Sequence, residues 1–86
     1  MNINELIKIV KSKIEAEIVI QDIKIEDKSF LHKNHKGNQE GMFHLKLIIK
    51  SEELKKLNKI ESTKKVYSAL DNELKKHIHS IQILLS

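Results

Sequence analysis

The spacing of apolar residues changes along this chain, and no other feature restricts its fold as strongly. Between residues 3 and 15, apolar residues recur every three or four positions, as on one face of a helix. Asn2 followed by Glu5 resembles a capping box, which predicts that this helix begins at Ile3. After the helix the spacing shortens to two, which is the period of a β-strand. The chain is therefore predicted to start with a helix and to continue into a strand.

Two alternating segments follow the first helix. One is EIVIQDIKIED, and the other is MFHLKLIIKS, in which Phe43 and Leu45 share one face while His44 lies on the other. Because only a loop separates the two strands, they are predicted to pair antiparallel. A helical or irregular stretch, EELKKLNKIES, comes next, followed by a helix with Ser62 or Thr63 as its predicted N-cap. The chain closes on a third alternating segment, HIHSIQILLS.

This order of elements predicts an α/β fold in two layers. It runs helix, strand, strand, one or two helices and strand, and the 86 residues suffice for one domain. A strand reached through a helical crossover usually runs parallel to the strand before it, with a right-handed connection. We therefore expect a small three-stranded mixed sheet with helices on one face, in a single domain over residues 1–86.

Composition narrows the range of partners and compartments. No apolar run approaches the roughly 20 residues of a membrane span, and the first residues lack the layout of a signal peptide, so we expect a cytoplasmic protein without a membrane partner. The absence of cysteine excludes disulfides. The net charge of +4 would permit nucleic-acid binding. However, all sixteen basic residues are lysines interleaved with acids, whereas arginine is the residue that usually reads base edges.

The sequence lacks the usual signatures of an enzyme. It contains neither of the glycine-rich phosphate-binding motifs nor a G-x-S-x-G elbow. Ser29 and His32 are close in sequence, but we interpret this as a coincidence within a loop. Four acidic residues are expected on solvated helix faces: Glu52, Glu53, Asp71 and Glu73. We therefore predict that the protein is not an enzyme.

Three of the five histidines lie in one segment, SFLHKNHKGNQEGMFH, which covers the predicted loop with both glycines and the start of the second strand. His32 and His35 are three residues apart, while His77 and His79 are two apart at the start of the last strand. Neither spacing matches a zinc motif. On spacing alone these are exposed loop and cap residues, although a partner protein that supplied further ligands would make them one half of a metal site.

Four segments in the same order resemble the BolA family. They are DKSFLHKNHKG, HLKLIIKS, VYSALDNEL and IHSI, and together they cover nearly the whole chain. Each segment alone is a weak match, but four collinear segments in so short a chain are specific. The resemblance implies a fold similar to a class II KH domain, in agreement with the order of elements predicted above.

The resemblance also implies a function in iron–sulfur cluster trafficking or assembly. BolA-like proteins pair with CGFS-type monothiol glutaredoxins through a bridging 2Fe–2S cluster, for which the glutaredoxin provides a cysteine and the thiol of bound glutathione. The BolA-side histidine that opens the last strand matches His79. The second BolA-side ligand lies in the loop and is a cysteine in one subgroup of the family and a histidine in another. This chain has no cysteine and therefore resembles the histidine subgroup, with His35 and His32 as alternatives for the loop ligand. His44 is interpreted as structural or as supporting a ligand.

A KH-like nucleic-acid-binding regulator is the alternative function. Its basic surface would consist of Lys64, Lys65, Lys75 and Lys76. Against this alternative, Ser62-Thr63-Lys64 occupies the place where the family usually carries R-H-R, which removes positive charge. A third interpretation is a histidine-dependent dimer or an unspecific interaction module without a cofactor. Alone, the protein is expected to be a monomer or a weak dimer.

Overall fold

The computed structural model describes residues 2–29 and 43–86 of the chain. In chain order the elements are α1 (Ile3–Glu17), β1 (Asp22–Asp27), β2 (Phe43–Lys50), α2 (Glu52–Lys55), α3 (Lys59–Ala69), α4 (Asp71–Lys76) and β3 (Ile78–Leu85). The predicted order of helices and strands is confirmed, except that the crossover between β2 and β3 contains three short helices where one or two were expected.

The three strands form one mixed sheet in the order β1-β2-β3. β1 pairs antiparallel with β2, and β3 pairs parallel with β2, as predicted. Leu47 stands at the centre of the sheet, with Ile25 opposite it on β1 and Ile83 opposite it on β3. Because strand side chains alternate between faces, this register aligns apolar residues from all three strands on one face.

The helices cover the apolar face of the sheet. The buried core consists of residues from α1, α2, α3, the central strand and the first position of β3, together with the residues that directly follow α1 and α3: Leu6, Val10, Ile14, Ile18, Leu45, Leu47, Ile49, Leu54, Val66, Leu70 and Ile78. The opposite face carries Lys24, Lys46 and Gln82 and is more polar. The arrangement confirms the predicted two-layer α/β fold with helices on one side.

The first helix has the predicted cap. The backbone amide of Glu5 donates to Asn2 Oδ1 at 2.8 Å, and Asn2 Nδ2 donates in turn to Glu5 Oε1 at 3.2 Å. These bonds satisfy an amide that the helix itself leaves without a partner. The helix begins at Ile3 as predicted and runs to Glu17, which is two residues beyond the predicted end.

The predicted N-cap of the helix after β2 is wrong. α3 begins at Lys59, and its cap is Asn58, whose Oδ1 accepts a hydrogen bond from the amide of Glu61 at 2.8 Å. Ser62 is instead buried inside α3, where its Oγ donates to the carbonyl of Lys59 at 3.0 Å. The physical reason is that asparagine is a strong N-cap residue and Glu61 follows it at the capping-box distance.

Glu73 also departs from prediction, because it is buried rather than solvated. Glu73 is only 3 % exposed, and its Oε2 lies 2.8 Å from the Nζ atom of Lys13. This ion pair joins α4 to α1. Burial by itself raises the Glu73 pKa, but the hydrogen bonds from Lys13 and Asn72 outweigh this effect and lower the pKa below its ordinary value.

Replacement of Lys13 with alanine should therefore lower the free energy of unfolding by about 1 kcal/mol at pH 7, because a buried carboxylate loses its cation. Since the folded state lowers the Glu73 pKa, this contribution is present at neutral pH and disappears as the pH falls below about 4. Urea denaturation of the unaltered protein and of Lys13→Ala, at pH 7 and at a pH below about 4, measures this difference in the free energy of unfolding. Lys11→Ala, on the exposed side of α1, is the control; an equal loss in both variants would contradict the assignment.

In the described part of the chain, no helix is both long enough and apolar enough to cross a membrane.

Candidate functional site: a histidine pair at the start of β3

A β-bulge lies at the start of β3. Phe43 pairs with Ile78, but the next residue of β2, His44, pairs with Ser80, so His79 has no opposite residue. An extra residue of this kind bends its strand and changes the direction of nearby side chains. Simple alternation would place His79 on the same face as Ile81, under the helices. The His79 side chain is instead exposed and contacts a residue of the opposite face.

That residue is His44, and its imidazole is held in a defined position. His44 is 4 % exposed, and its Nδ1 forms a hydrogen bond with Ser80 Oγ at 2.7 Å. Its backbone is fixed as well, because its amide donates to Ser29 Oγ at 3.1 Å and its carbonyl accepts from the amide of Lys28 at 2.7 Å. His44, which His79 contacts, is therefore held through its ring by β3 and through its backbone by the residues that follow β1.

The two imidazoles are in contact. Their ring centroids are 4.9 Å apart, and their planes make an angle of 51°. Because Ser80 follows His79 directly and also bonds His44, one hydroxyl connects the bulge to the buried ring. The arrangement presents one exposed imidazole, that of His79, on a support formed by His44.

The surroundings of the pair are polar and partly positive. A cavity of about 380 Å³ adjoins His44 and Ser80 and is also lined by Lys28 and Lys46. Glu26 lies 3.5 Å from the Nζ atom of Lys28. Burial alone would raise the Glu26 pKa. The positive charges of Lys28 and Lys24 have a larger, opposite effect, so the Glu26 pKa lies below its ordinary value. A carboxylate therefore offsets part of the positive charge beside the pair.

Of the predicted metal ligands, the structure describes only His79. His32 and His35 lie outside the described residues. His77 is the C-cap of α4, and it acts through its backbone, whose amide donates to the Glu73 carbonyl at 2.8 Å and whose carbonyl accepts from the amide of Phe43 at 2.9 Å. Across residues 2–29 and 43–86, no three potential metal ligands converge.

The four lysines of the alternative surface are not equally available. Lys65 forms an ion pair with Glu53, which joins α3 to α2, and Lys75 pairs with Asp71 at 3.0 Å. The hydrogen bond from Lys65, with a second from the amide of Val19, lowers the Glu53 pKa below its ordinary value. Lys64 and Lys76 are exposed and form no ion pair with any described residue.

Lys64 also lines a groove on the helical layer. This groove, of about 720 Å³, runs along α3 to α4 and is lined among others by Lys59, Ile60 and Tyr67. Ile60 and Tyr67 are 68 % and 41 % exposed. A lysine beside an exposed aromatic ring is an arrangement that can stack a base and contact a phosphate.

Comparisons with known proteins agree with this fold. Residues 14–86 match the family model of BolA-like proteins. The chain is 30 % identical over 78 residues to the "DNA-binding transcriptional regulator BolA" of Haemophilus influenzae, covering 91 % of this chain and 73 % of that protein. Among solved structures, the BolA domain of SufE1 from Arabidopsis thaliana has a TM-score of 0.77 at 23 % identity, over 100 % of this chain and 93 % of that chain. BolA1 from the same plant has a TM-score of 0.74 at 26 % identity, over 90 % and 85 % of the two chains.

Proposed function

We propose, since this chain belongs to the BolA-like family, that it is a non-enzymatic adaptor for iron–sulfur cluster trafficking or assembly. In this proposal it pairs with a CGFS-type monothiol glutaredoxin, and the two proteins share a bridging 2Fe–2S cluster. His79 is the first ligand from this chain. The second is a loop histidine, His35 or His32, both of which lie outside the described residues.

One observation carries the proposal: His79 is an exposed imidazole placed at a β-bulge and supported by a buried second imidazole. Bulges are common next to functional sites because they redirect a side chain. An exposed histidine without a function has no need of such support, whereas a metal ligand is usually oriented by neighbouring groups. The contact with His44 and the bond from His44 to Ser80 supply that orientation.

The donor set of the chain suits one half of a shared site. With no cysteine in the sequence, the chain offers imidazoles and the partner would offer thiolates. Both are established ligands of 2Fe–2S clusters, and imidazoles in place of thiolates raise the reduction potential. The role of this chain is then to present His79, hold its ring in one orientation and leave the other coordination positions to the partner.

Titration of the protein into a cluster-loaded glutaredoxin homodimer tests the proposal. We expect the visible circular dichroism spectrum to change and to saturate at one equivalent of this chain per cluster, that is, per glutaredoxin homodimer, since ligand replacement alters the cluster environment. Cysteine-blocked glutaredoxin without cluster is the control and should give no visible signal. An unchanged spectrum at concentrations well above micromolar would contradict the proposal.

The hydroxyl of Ser80 provides a milder test of how His79 is positioned. Ser80→Ala removes the hydrogen bond to His44 Nδ1 and leaves the backbone pairing of β3 in place. The variant should therefore bind the shared cluster with about tenfold lower affinity, while the shape of the cluster spectrum stays the same. Cluster retention during dilution, followed by visible absorbance, measures this. Gln82→Ala, on the same face of β3, is the matched control; equal loss in both variants would remove Ser80 from the site.

DNA binding is a second candidate function, favoured by the name of the Haemophilus influenzae relative and by the groove that Lys64 and Tyr67 line. It predicts binding that weakens steeply as salt rises and that Lys64→Glu reduces but His79→Ala does not. Fluorescence anisotropy with a labelled duplex and a labelled single strand measures both effects. Salt-independent or absent binding would eliminate this candidate.

A further inference from the structure

The two edges of the sheet differ in charge. β1 carries four charged residues: Asp22, Lys24, Glu26 and Asp27. β3 carries none along its whole length, from Ile78 to Leu85, in a protein in which 33 % of residues are charged. Charged side chains are a common means of preventing an edge strand from pairing with another chain. The edge formed by β1 has this protection, whereas the edge formed by β3 lacks it.

A groove follows the unprotected edge. It has a volume of about 400 Å³ and lies between the end of β3 and the helices α2 and α3. On the strand side it touches Ile83, Leu84 and Leu85. Because consecutive residues of a strand point to opposite faces, a groove that touches all three runs along the edge rather than over one face. Leu84 and Leu85 are 41 % and 38 % exposed there.

Backbone groups along this edge point outwards. The amide of Ser86 donates to the carbonyl of Ile49 at 2.9 Å, so Ser86 faces β2. Since the polar groups of successive residues alternate in direction, those of Ile81, Ile83 and Leu85 face away from β2. Among the strands that the structure describes, none pairs with this side of β3. The edge therefore offers a row of donors and acceptors for one more strand.

The helical wall of the groove is positive. Lys55 and Lys59 line it beside the apolar Leu54 and Leu57. Neither lysine has an ion pair within residues 2–29 and 43–86, unlike Lys65. A strand seated on the edge would direct every second side chain towards this helical wall with its two lysines, and the others towards the opposite face, on which Leu84 is exposed. The complementary occupant has apolar and acidic residues in alternation.

We infer that the free edge of β3 binds an extended segment of a partner protein in which acidic residues alternate with apolar ones. Main-chain hydrogen bonds to Ile81, Ile83 and Leu85 extend the sheet by a fourth strand, and Lys55 and Lys59 select for acidic side chains. A second copy of this chain is a poorer occupant, because each copy has a net charge of +4 and would bring its own lysines. The groove end of this edge, at Leu85, lies roughly 20 Å along β3 from His79, whereas Ile81 lies only two residues from His79.

A pair of synthetic peptides tests this inference on the full-length protein. The fluorescently labelled peptide VEVDVEV should bind, whereas VKVKVKV should not. The double variant Lys55→Glu, Lys59→Glu should weaken binding of the acidic peptide about tenfold, because two attractive pairs become repulsive. Lys8→Glu with Lys11→Glu on α1 changes the net charge equally, lies outside the groove and should change binding less than about twofold. Bound peptide should also slow hydrogen exchange at the amides of Ile81, Ile83 and Leu85.

Four results would overturn the inference. They are no binding of the acidic peptide, equal weakening in the two double variants, an absence of protection at the three β3 amides, and displacement of the peptide by a single-stranded oligonucleotide that protects the same amides. Sedimentation of the free protein tests the remaining possible occupant, which is a second copy of this chain. A dimer that dissociates when the peptide binds would assign the edge to a second copy instead.

Discussion

Replacement of His79 with alanine should abolish the visible circular dichroism of the cluster shared with a glutaredoxin, while the far-UV spectrum of the free protein stays native. The side chain is exposed, so its removal leaves the buried core intact. The loss of one ligand from this chain leaves an iron site incomplete, which is expected to alter or release the cluster. Visible and far-UV spectra of the same samples measure the two effects separately.

His77→Ala is the matched control for this variant. His77 lies two residues earlier, and the interactions described for it are made by its backbone, which alanine retains. We therefore expect the cluster spectrum of this variant to match that of the unaltered protein. If His79→Ala kept the unaltered spectrum, His79 would not be a ligand. If both variants lost the spectrum equally, the effect would belong to the start of β3 as a whole.

Replacement of Leu47 with alanine should lower the free energy of unfolding by about 3 kcal/mol, which is a large part of the stability of a small domain. Leu47 is fully buried in the middle strand, between Ile25 and Ile83, so the smaller side chain leaves a cavity where both strand pairs meet. Urea denaturation followed by far-UV circular dichroism measures the loss.

The adjacent residue provides the control for the core variant. Ile48 points to the opposite face and is only partly buried. The lost burial in Ile48→Ala should therefore lower the free energy of unfolding by less than about 1 kcal/mol, in addition to the small cost of placing alanine in a strand. Comparable losses at the two positions would mean that both faces of the sheet are covered equally. That result would contradict the two-layer arrangement.

Periodicity and capping patterns predicted most of the fold because they report local physical requirements. The Asn2–Glu5 pattern located the start of α1, and alternation located all three strands. The same local reasoning chose Ser62 or Thr63 as a cap, although Asn58 had the stronger pattern. The burial of Glu73 was not predictable, because it depends on Lys13, which is distant in sequence and reaches it only in the folded chain.

The candidate site was predictable only in part. His79 was identified through the family resemblance, and its side chain is exposed. His44 was interpreted as structural or as supporting a ligand, but its contact with His79 was not predicted, because regular alternation places the two on opposite faces and only the bulge brings them together. A single unpaired residue leaves no mark in the periodicity of so short a strand. The ion pair of Lys65 with Glu53 likewise depends on how α2 and α3 pack.

Native mass spectrometry of the mixed proteins tests the central claim most directly. The account predicts a complex with the mass of one copy of this chain, one CGFS-type glutaredoxin, one glutathione and one 2Fe–2S cluster, and it predicts that His79→Ala eliminates this species. Spectra that contain only the cluster-loaded glutaredoxin homodimer and the free chain, at concentrations where the unaltered proteins are well mixed, would contradict it.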